Sequence, residues 1–394
     1  MQFRIAVIAA CPFPYPRGTP VRIQRLSEAL AKRGNEVHVV TYHIGEGRAD
    51  PSVEVHRIPE VQSYRKTGPG PSYKKLAVID PLLVKKTREV IRERGIDIIH
   101  AHHYEGLLVG AFARRKTDIP LVYDAHTLLE SELPYYGLGL PRSVKTGLGR
   151  WLDRRVPPLS DFVVSVTQVI RDKLVDKGIM PAAKVAVIAN GVEREFYEYE
   201  KGGHDSDSQV LIFAGNLAAY QGINEMLRAF REVSAARSSV RLAIVTDSSF
   251  EDYELLAREL GIRDRIDLVR SELDKLPALL SGGKIALNPR QDCDGIPQKL
   301  LNYMAVGIPV VSFKGSAPVV EHGKTGWIVA NGDIRGFADG ILRLLENAEL
   351  ARQIGRNARD YIRQHHTWEG AAAHCEQVYE KLVPLAAVEQ PDVG

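Results

Sequence analysis

The chain has 394 residues, 44% hydrophobic and 26% charged, and its 52 Lys and Arg against 49 Asp and Glu leave a formal net charge of +3. That length exceeds one ordinary core, so two domains of about 150–200 residues each are expected. A charge so near balance, with no nucleic-acid motif, excludes a nucleic-acid partner, and no apolar run reaches the roughly 18 residues of a membrane-spanning helix.

The start, MQFRIAVIAAC, sets a small-residue pair before Cys11 as a lipoprotein signal does. Its apolar stretch is too short for such a signal, and it reads as a first buried strand. The strand-like runs FRIAVIA, EVHVVTY, VEVHRI, DIIHAHH, PLVYDAH and DFVVSVT then alternate with helical patterns such as VRIQRLSEALAKRG and DPLLVKKTREVIRERG. That alternation predicts a mostly parallel sheet with helices on both faces. This first domain covers residues 1–192, and the polar, glycine-containing stretch at 193–208 reads as a linker.

A second series fills 209–365: VLIFAG, a helix through Gly222–Val233, VRLAIVT, a helix near Tyr253–Gly261, RIDLV, KIALN, a helix at Pro297–Val306, and IPVVS. An amphipathic helix and tail occupy 366–394. Neither domain carries G-x-G-x-x-G after its first strand, which removes the main support for a dinucleotide oxidoreductase. The cysteines Cys11, Cys293 and Cys375 are odd in number and scattered, without CxxC or metal-ligand spacing, as in a reducing cytoplasm.

The stretch from Arg290 to Ser312 packs a corner, a helix start and a buried strand into one unit. Asp294 and Gly295 make the corner, Pro297 sits where a helix begins, and Leu300, Leu301, Met304 and Ala305 recur at helical spacing before Gly307 stops the run. The first-turn amides and the positive end of the helix dipole face the corner, a berth for a phosphate, with Lys299 and Arg290 near it.

DGIPQKLLNYMAVGIPVV resembles the donor-binding segment of the retaining family-four glycosyltransferases. The likeness extends over DIIHAHHYEGLLVG, PLVYDAHTL, VIANGV, FAGNLAAYQGINEMLRAF and EHGKTGWIV, nearly the whole chain. It implies an α/β fold of two tandem Rossmann-like doubly wound domains facing across a cleft (GT-B), with the final helix returning to the first. It also implies transfer of a sugar from a nucleotide-sugar donor, UDP-linked before GDP-linked, to a glycan or lipid-linked acceptor, with retained anomeric configuration and without metal or other cofactor.

Carried over residue by residue, the resemblance gives Asp294 and His126 catalytic roles. Asp294, Gly295 and Ile296 would hold the donor sugar; Asn302 stands where the family has a ribose-binding glutamate. Asn216 and Gln221 stand where it more often has Arg and Lys facing the diphosphate, so Arg290 or Lys299 would have to supply that charge. Gly18 and Arg17 would border the diphosphate and acceptor, with His102 and His103 lining the acceptor side. The three neutral substitutions motivate one alternative, a weak or inactive relative that binds nucleotide or glycan. A further rival is a GT-B enzyme of another kind, such as an epimerase or phosphorylase. Lys and Arg between Tyr64 and Arg94, and Arg142, Lys145, Arg150, Arg154 and Arg155 around Trp151, suggest a face for an anionic membrane at its inner, cytoplasmic side.

Overall fold

The structure, a computed structural model, describes residues 2–15, 18–68, 70, 72–136, 139–199, 209–270, 275–293 and 295–383. Of the expected linker, residues 200–208 lie outside these. The chain divides into two compact units, Met1–Ala189 with Trp368–Gly394, and Asn190–Thr367.

The first unit holds a seven-stranded sheet: β1 (Arg4–Ala9), β2 (Glu36–Thr41), β3 (Val53–Arg57), β4 (Ile98–His102), β5 (Leu121–Ala125), β6 (Phe162–Ser165) and β7 (Val185–Val187). All pairings are parallel, in the order β3-β2-β1-β4-β5-β6-β7. β1 shows why the sequence reads as continuous apolar runs: both faces of a parallel sheet are covered, so every residue after Arg4 is buried. Ala6 and Ile8 enter one core with Val40, Ile99 and Leu107, while Ile5 and Val7 enter another with Val37, Ile98 and Ile23.

The second unit repeats the plan with β8 (Val210–Ala214), β9 (Arg241–Val245), β10 (Ile266–Val269), β11 (Ile285–Asn288), β12 (Val310–Phe313) and β13 (Trp327–Val329), in the order β10-β9-β8-β11-β12-β13. Leu211 and Phe213 of β8 face one core, Ile212 and Ala214 the other. The short strands β7 and β13 were not foreseen; each has three residues and a partly exposed face, too little for a two-residue period to register. The expected helix at Pro297–Val306 forms as Gln298–Ala305, because Pro297 keeps an extended ψ of 124° and stands at the cap.

After Thr367 the chain rejoins the first unit. Helix Trp368–Leu382 buries Ala371, Ala372, Cys375 and Tyr379 in the core that holds Phe3 and Val7. Its Glu376 accepts hydrogen bonds from Arg33 and Asn35.

In each unit the strand order reverses beside its first strand, between β1 and β4 and between β8 and β11. Loops leaving the carboxyl ends there diverge toward opposite faces and open a crevice, the usual ligand position in such sheets. Close approach of backbones shapes the second crevice. Gly222, which opens helix Ile223–Ala236, sits at φ +75°, and a Cβ there would lie 2.1 Å from the Pro289 carbonyl oxygen, so only glycine fits.

Candidate functional site

At the β8/β11 reversal, Gly215 and Asn216 follow β8, Pro289 and Arg290 follow β11, and Lys299 rises from the first turn of Gln298–Ala305. No described side chain caps that turn. Lys299 Nζ donates to Gln221 Oε1 at 2.7 Å and stands 4.1 Å over the Phe213 ring. Buried Gln221 in turn donates to Asn216 Oδ1 at 3.3 Å, and Asn216 Nδ2 donates to the Tyr220 hydroxyl at 3.2 Å. The two neutral residues standing in cationic positions are therefore one polar chain ending on Lys299.

Arg290 lies 4.9 Å over the Tyr220 ring and donates to the Asp292 carbonyl at 2.6 Å. Among the described residues neither Lys299 nor Arg290 pairs with a carboxylate. Burial, followed by the charge of Arg290, pulls the Lys299 ammonium down to about 7, with Cys293 pulling weakly the other way. Two cations held together with no counter-ion among the described residues make a site that gains from any anion placed there.

Asn302, one turn along, already receives Gln298 Nε2 on its oxygen at 3.3 Å. Gly295 and Ile296 are half-buried before the helix, and Ile296 packs on the core beneath it. Asp294 lies outside the described residues, as does Arg17. A larger recess of about 770 Å³, lined by Lys284, Arg352, Arg356, Arg359 and Arg363, opens at the amino ends of β8, β11 and β12, the opposite end of the sheet from the crevice.

At the β1/β4 reversal the first unit forms an open cavity of about 250 Å³ lined by Gly18, Thr19, Lys75, His102, His103, Glu105 and others. Gly18, at φ +42°, opens helix Gly18–Lys32 with free space where a side chain would stand. Lys75 sits in a π-helical turn, Lys75–Ile79, a form that recurs at functional positions. Its Nζ meets Glu105 Oε1 at 2.8 Å, and the other Glu105 oxygen takes His103 Nδ1 at 2.5 Å. His103 Nε2 meets Glu132 at 3.2 Å. Burial alone would lower His103, but these carboxylates outweigh it and push the imidazole up to about 10. Lys75, Glu105 and Glu132 went unnoticed in sequence, where nothing but their type marks them.

Beneath the cavity floor Arg22 and Asp124, 2% and 0% exposed, form an ion pair at 2.9 Å. Asp124 also takes His100 Nε2 at 3.2 Å, and His100 Nδ1 meets the Tyr379 hydroxyl at 2.5 Å. His126 stands 3.1 Å from His102 and 3.3 Å from the Thr19 hydroxyl. Burial opposes the charge on Asp124, yet Arg22 holds its carboxyl well below the usual range. His100, His102 and Asp124 come close enough together to suggest a metal, but Asp124 spends both oxygens on Arg22.

Burial is also the larger effect on His126, exceeding the pull of Asp124 and taking the imidazole down to about 3, so it is neutral at pH 7. A base whose folded value is depressed costs nothing above about 6.5; as pH falls below that, the unfolded chain takes a proton the folded chain refuses, and stability is lost toward pH 3. Urea unfolding between pH 6.5 and 4.5 should therefore show a loss that His126→Gln reduces by up to about 1.4 kcal/mol per pH unit. Equal slopes in the two proteins would contradict this.

With this geometry in place, residues 16–196 match the family described as Glycosyltransferase Family 4, and residues 197–361 match Glycosyl transferases group 1. The chain is 23% identical over 395 residues to N-acetyl-alpha-D-glucosaminyl L-malate synthase of Bacillus anthracis, covering 96% of this chain and 97% of that protein. Sucrose-phosphate synthase of Thermosynechococcus elongatus superposes with a TM-score of 0.75 at 19% identity, covering 96% and 98% of the two chains. Anabaena HepE in complex with UDP also gives 0.75 at 19%, covering 97% and 100%. The same protein in complex with UDP-glucose gives 0.71 at 17%, covering 96% and 100%. The structural likenesses share the GT-B fold class, and the two family matches run head to tail over both doubly wound units: the chain belongs to the family-four, group 1 glycosyltransferases and is a sugar-transferring enzyme.

Proposed function

We propose that the enzyme takes a sugar from a UDP-linked donor, or a GDP-linked one in second place, and transfers it with retained configuration to a hydroxyl of a glycan or lipid-linked acceptor. The observation that carries this is the pair Lys299 and Arg290 at the β8/β11 reversal, neither paired with a carboxylate among the described residues, beside a helix start that no described side chain caps. A diphosphate supplies the missing counter-charge, and the same cations stabilise it as it departs. HepE, similar in fold, was solved with UDP and UDP-glucose.

In this reading the substitutions at Asn216 and Gln221 are compensated from the helix: Gln221 aims Lys299 instead of carrying charge itself. Charge that a divalent ion would otherwise bring comes from the two side chains, so transfer proceeds without metal. Asp294, with the amides of Gly295 and Ile296, holds hydroxyls of the donor sugar, and Asn302 offers its remaining NH to the ribose. The acceptor occupies the cavity between Gly18, His102 and the charged His103, with Arg17 at its border and neutral His126 behind it. The leaving phosphate takes the acceptor's proton, and the protein's part is positioning.

Calorimetric titration with UDP should give a Kd at least tenfold weaker for Lys299→Met, the loss of one charged hydrogen bond. Because UDP favours the protonated lysine, wild-type affinity should fall as pH rises above about 7, while Lys299→Met stays flat. Unchanged affinity would remove Lys299 from the phosphate, and UDP binding without turnover of any UDP-sugar or GDP-sugar would favour the nucleotide-binding relative.

We further propose that the acceptor side meets the inner face of an anionic membrane. Helix Arg142–Arg155 exposes Val144, Leu148 and Trp151 one turn apart at 50%, 40% and 55%, flanked by Arg142 and Arg155. No helix among the described residues is long and apolar enough to cross a membrane. Co-sedimentation with vesicles containing phosphatidylserine should drop severalfold for the double variant Leu148→Ser with Trp151→Ser. Equal sedimentation of both proteins would dismiss that contact.

A further inference from the structure

Away from both crevices, the edge of the first sheet carries a second cluster. Parallel register sets His38 of β2 opposite Glu54 of β3, with His56 two residues farther along on the same face. His38 Nδ1 lies 3.1 Å from His56 Nε2 and 3.3 Å from Glu54 Oε2, and His56 Nε2 lies 3.6 Å from Glu54 Oε1. Zn–N and Zn–O bonds of about 2.0–2.2 Å put neighbouring ligand atoms of a tetrahedral site roughly 3.3 Å apart. His38 Nδ1 has that spacing to both His56 Nε2 and Glu54 Oε2, while Glu54 comes nearest His56 with its other oxygen; one ligand atom from each of the three residues lies within 4.8 Å of the others. A proton on Nδ1 points along one axis and serves one partner well, whereas a cation at the centre serves all three.

The surroundings are those of a metal ligand set. His38 is fully buried, and its other nitrogen meets Glu36 Oε1 at 3.0 Å, fixing the ring with Nδ1 toward the triangle. Glu54 is held through Oε1 by Arg94 from helix Asp80–Arg94, leaving Oε2 toward the triangle. Lys86 of that helix also faces His56 but is engaged by Glu89 at 3.0 Å. His56 and Glu54 are 14% and 45% exposed, so an ion has a way in.

We propose that His38, Glu54 and His56 bind a divalent transition metal, Zn²⁺ foremost, with Glu36 orienting His38 and a fourth position open to water. Two imidazoles and a carboxylate select such an ion over Mg²⁺ or Ca²⁺. Its effect is structural: it clamps β3, the sheet's unpaired edge, just before the segment whose Tyr64 and Lys66 line the cavity.

The full-length protein, stripped with chelator, should retain one equivalent of Zn²⁺ in equilibrium dialysis. Glu54→Gln and His56→Gln should each weaken retention at least tenfold, and Glu36→Gln, which touches no metal, about tenfold to a hundredfold. Glu36 and Glu54 are exposed, so their amide variants leave the fold intact whatever becomes of a His38 variant. With Co²⁺ the wild type should give the intense visible bands of four-coordinate cobalt, absent in His56→Gln. Zn²⁺ retained equally by wild type and Glu54→Gln, or no retention by the wild type, would overturn the site and leave a proton-sharing cluster.

Discussion

Where a parallel sheet reverses its strand order, crossovers on its two sides leave on opposite faces, and the backbone cannot close the gap between the two first loops. Both units have this reversal, and each candidate site stands at one. The constraint is topological before it is chemical. It explains why residues as far apart as Gly18 and His102, or Asn216 and Arg290, come to border a common space.

The two crevices handle charge in opposite ways. In the first unit the ions at and beneath the cavity are paired: Arg22 with Asp124, Lys75 with Glu105, His103 with Glu105 and Glu132. Such a closed network fixes side chains in place, because removing one partner strands the other in a medium that solvates it poorly. In the second unit Lys299 and Arg290 are left without carboxylates among the described residues, and their mutual repulsion is relieved when an anion arrives. A self-neutral pocket suits a polar acceptor, and an unneutralised one suits a diphosphate.

Much of this was legible in the sequence because punctuation and periodicity act locally. Gly222 and Pro297 marked helix starts that the structure places within one residue, and the apolar runs marked eleven of the strands. The two strands that went unseen, Val185–Val187 and Trp327–Val329, lie at sheet edges where one face is not fully buried. The motif that resembles family-four donor segments pointed to Lys299 and Arg290 as replacements for lost cations, but not to the way Gln221 would be used. That role is a contact across 78 residues. Lys75 with Glu105, and His100 with Tyr379, are likewise pairings that only the fold makes.

In the proposed site the diphosphate of the donor neutralises Lys299 at the β8/β11 reversal. A crystal structure of the enzyme with UDP tests this most directly. A phosphate oxygen is expected within about 3.2 Å of Lys299 Nζ, the length of a hydrogen bond, with the helix start at Gln298 pointing at the same group. UDP seated elsewhere, or bound with Lys299 still directed only at Gln221, would contradict it.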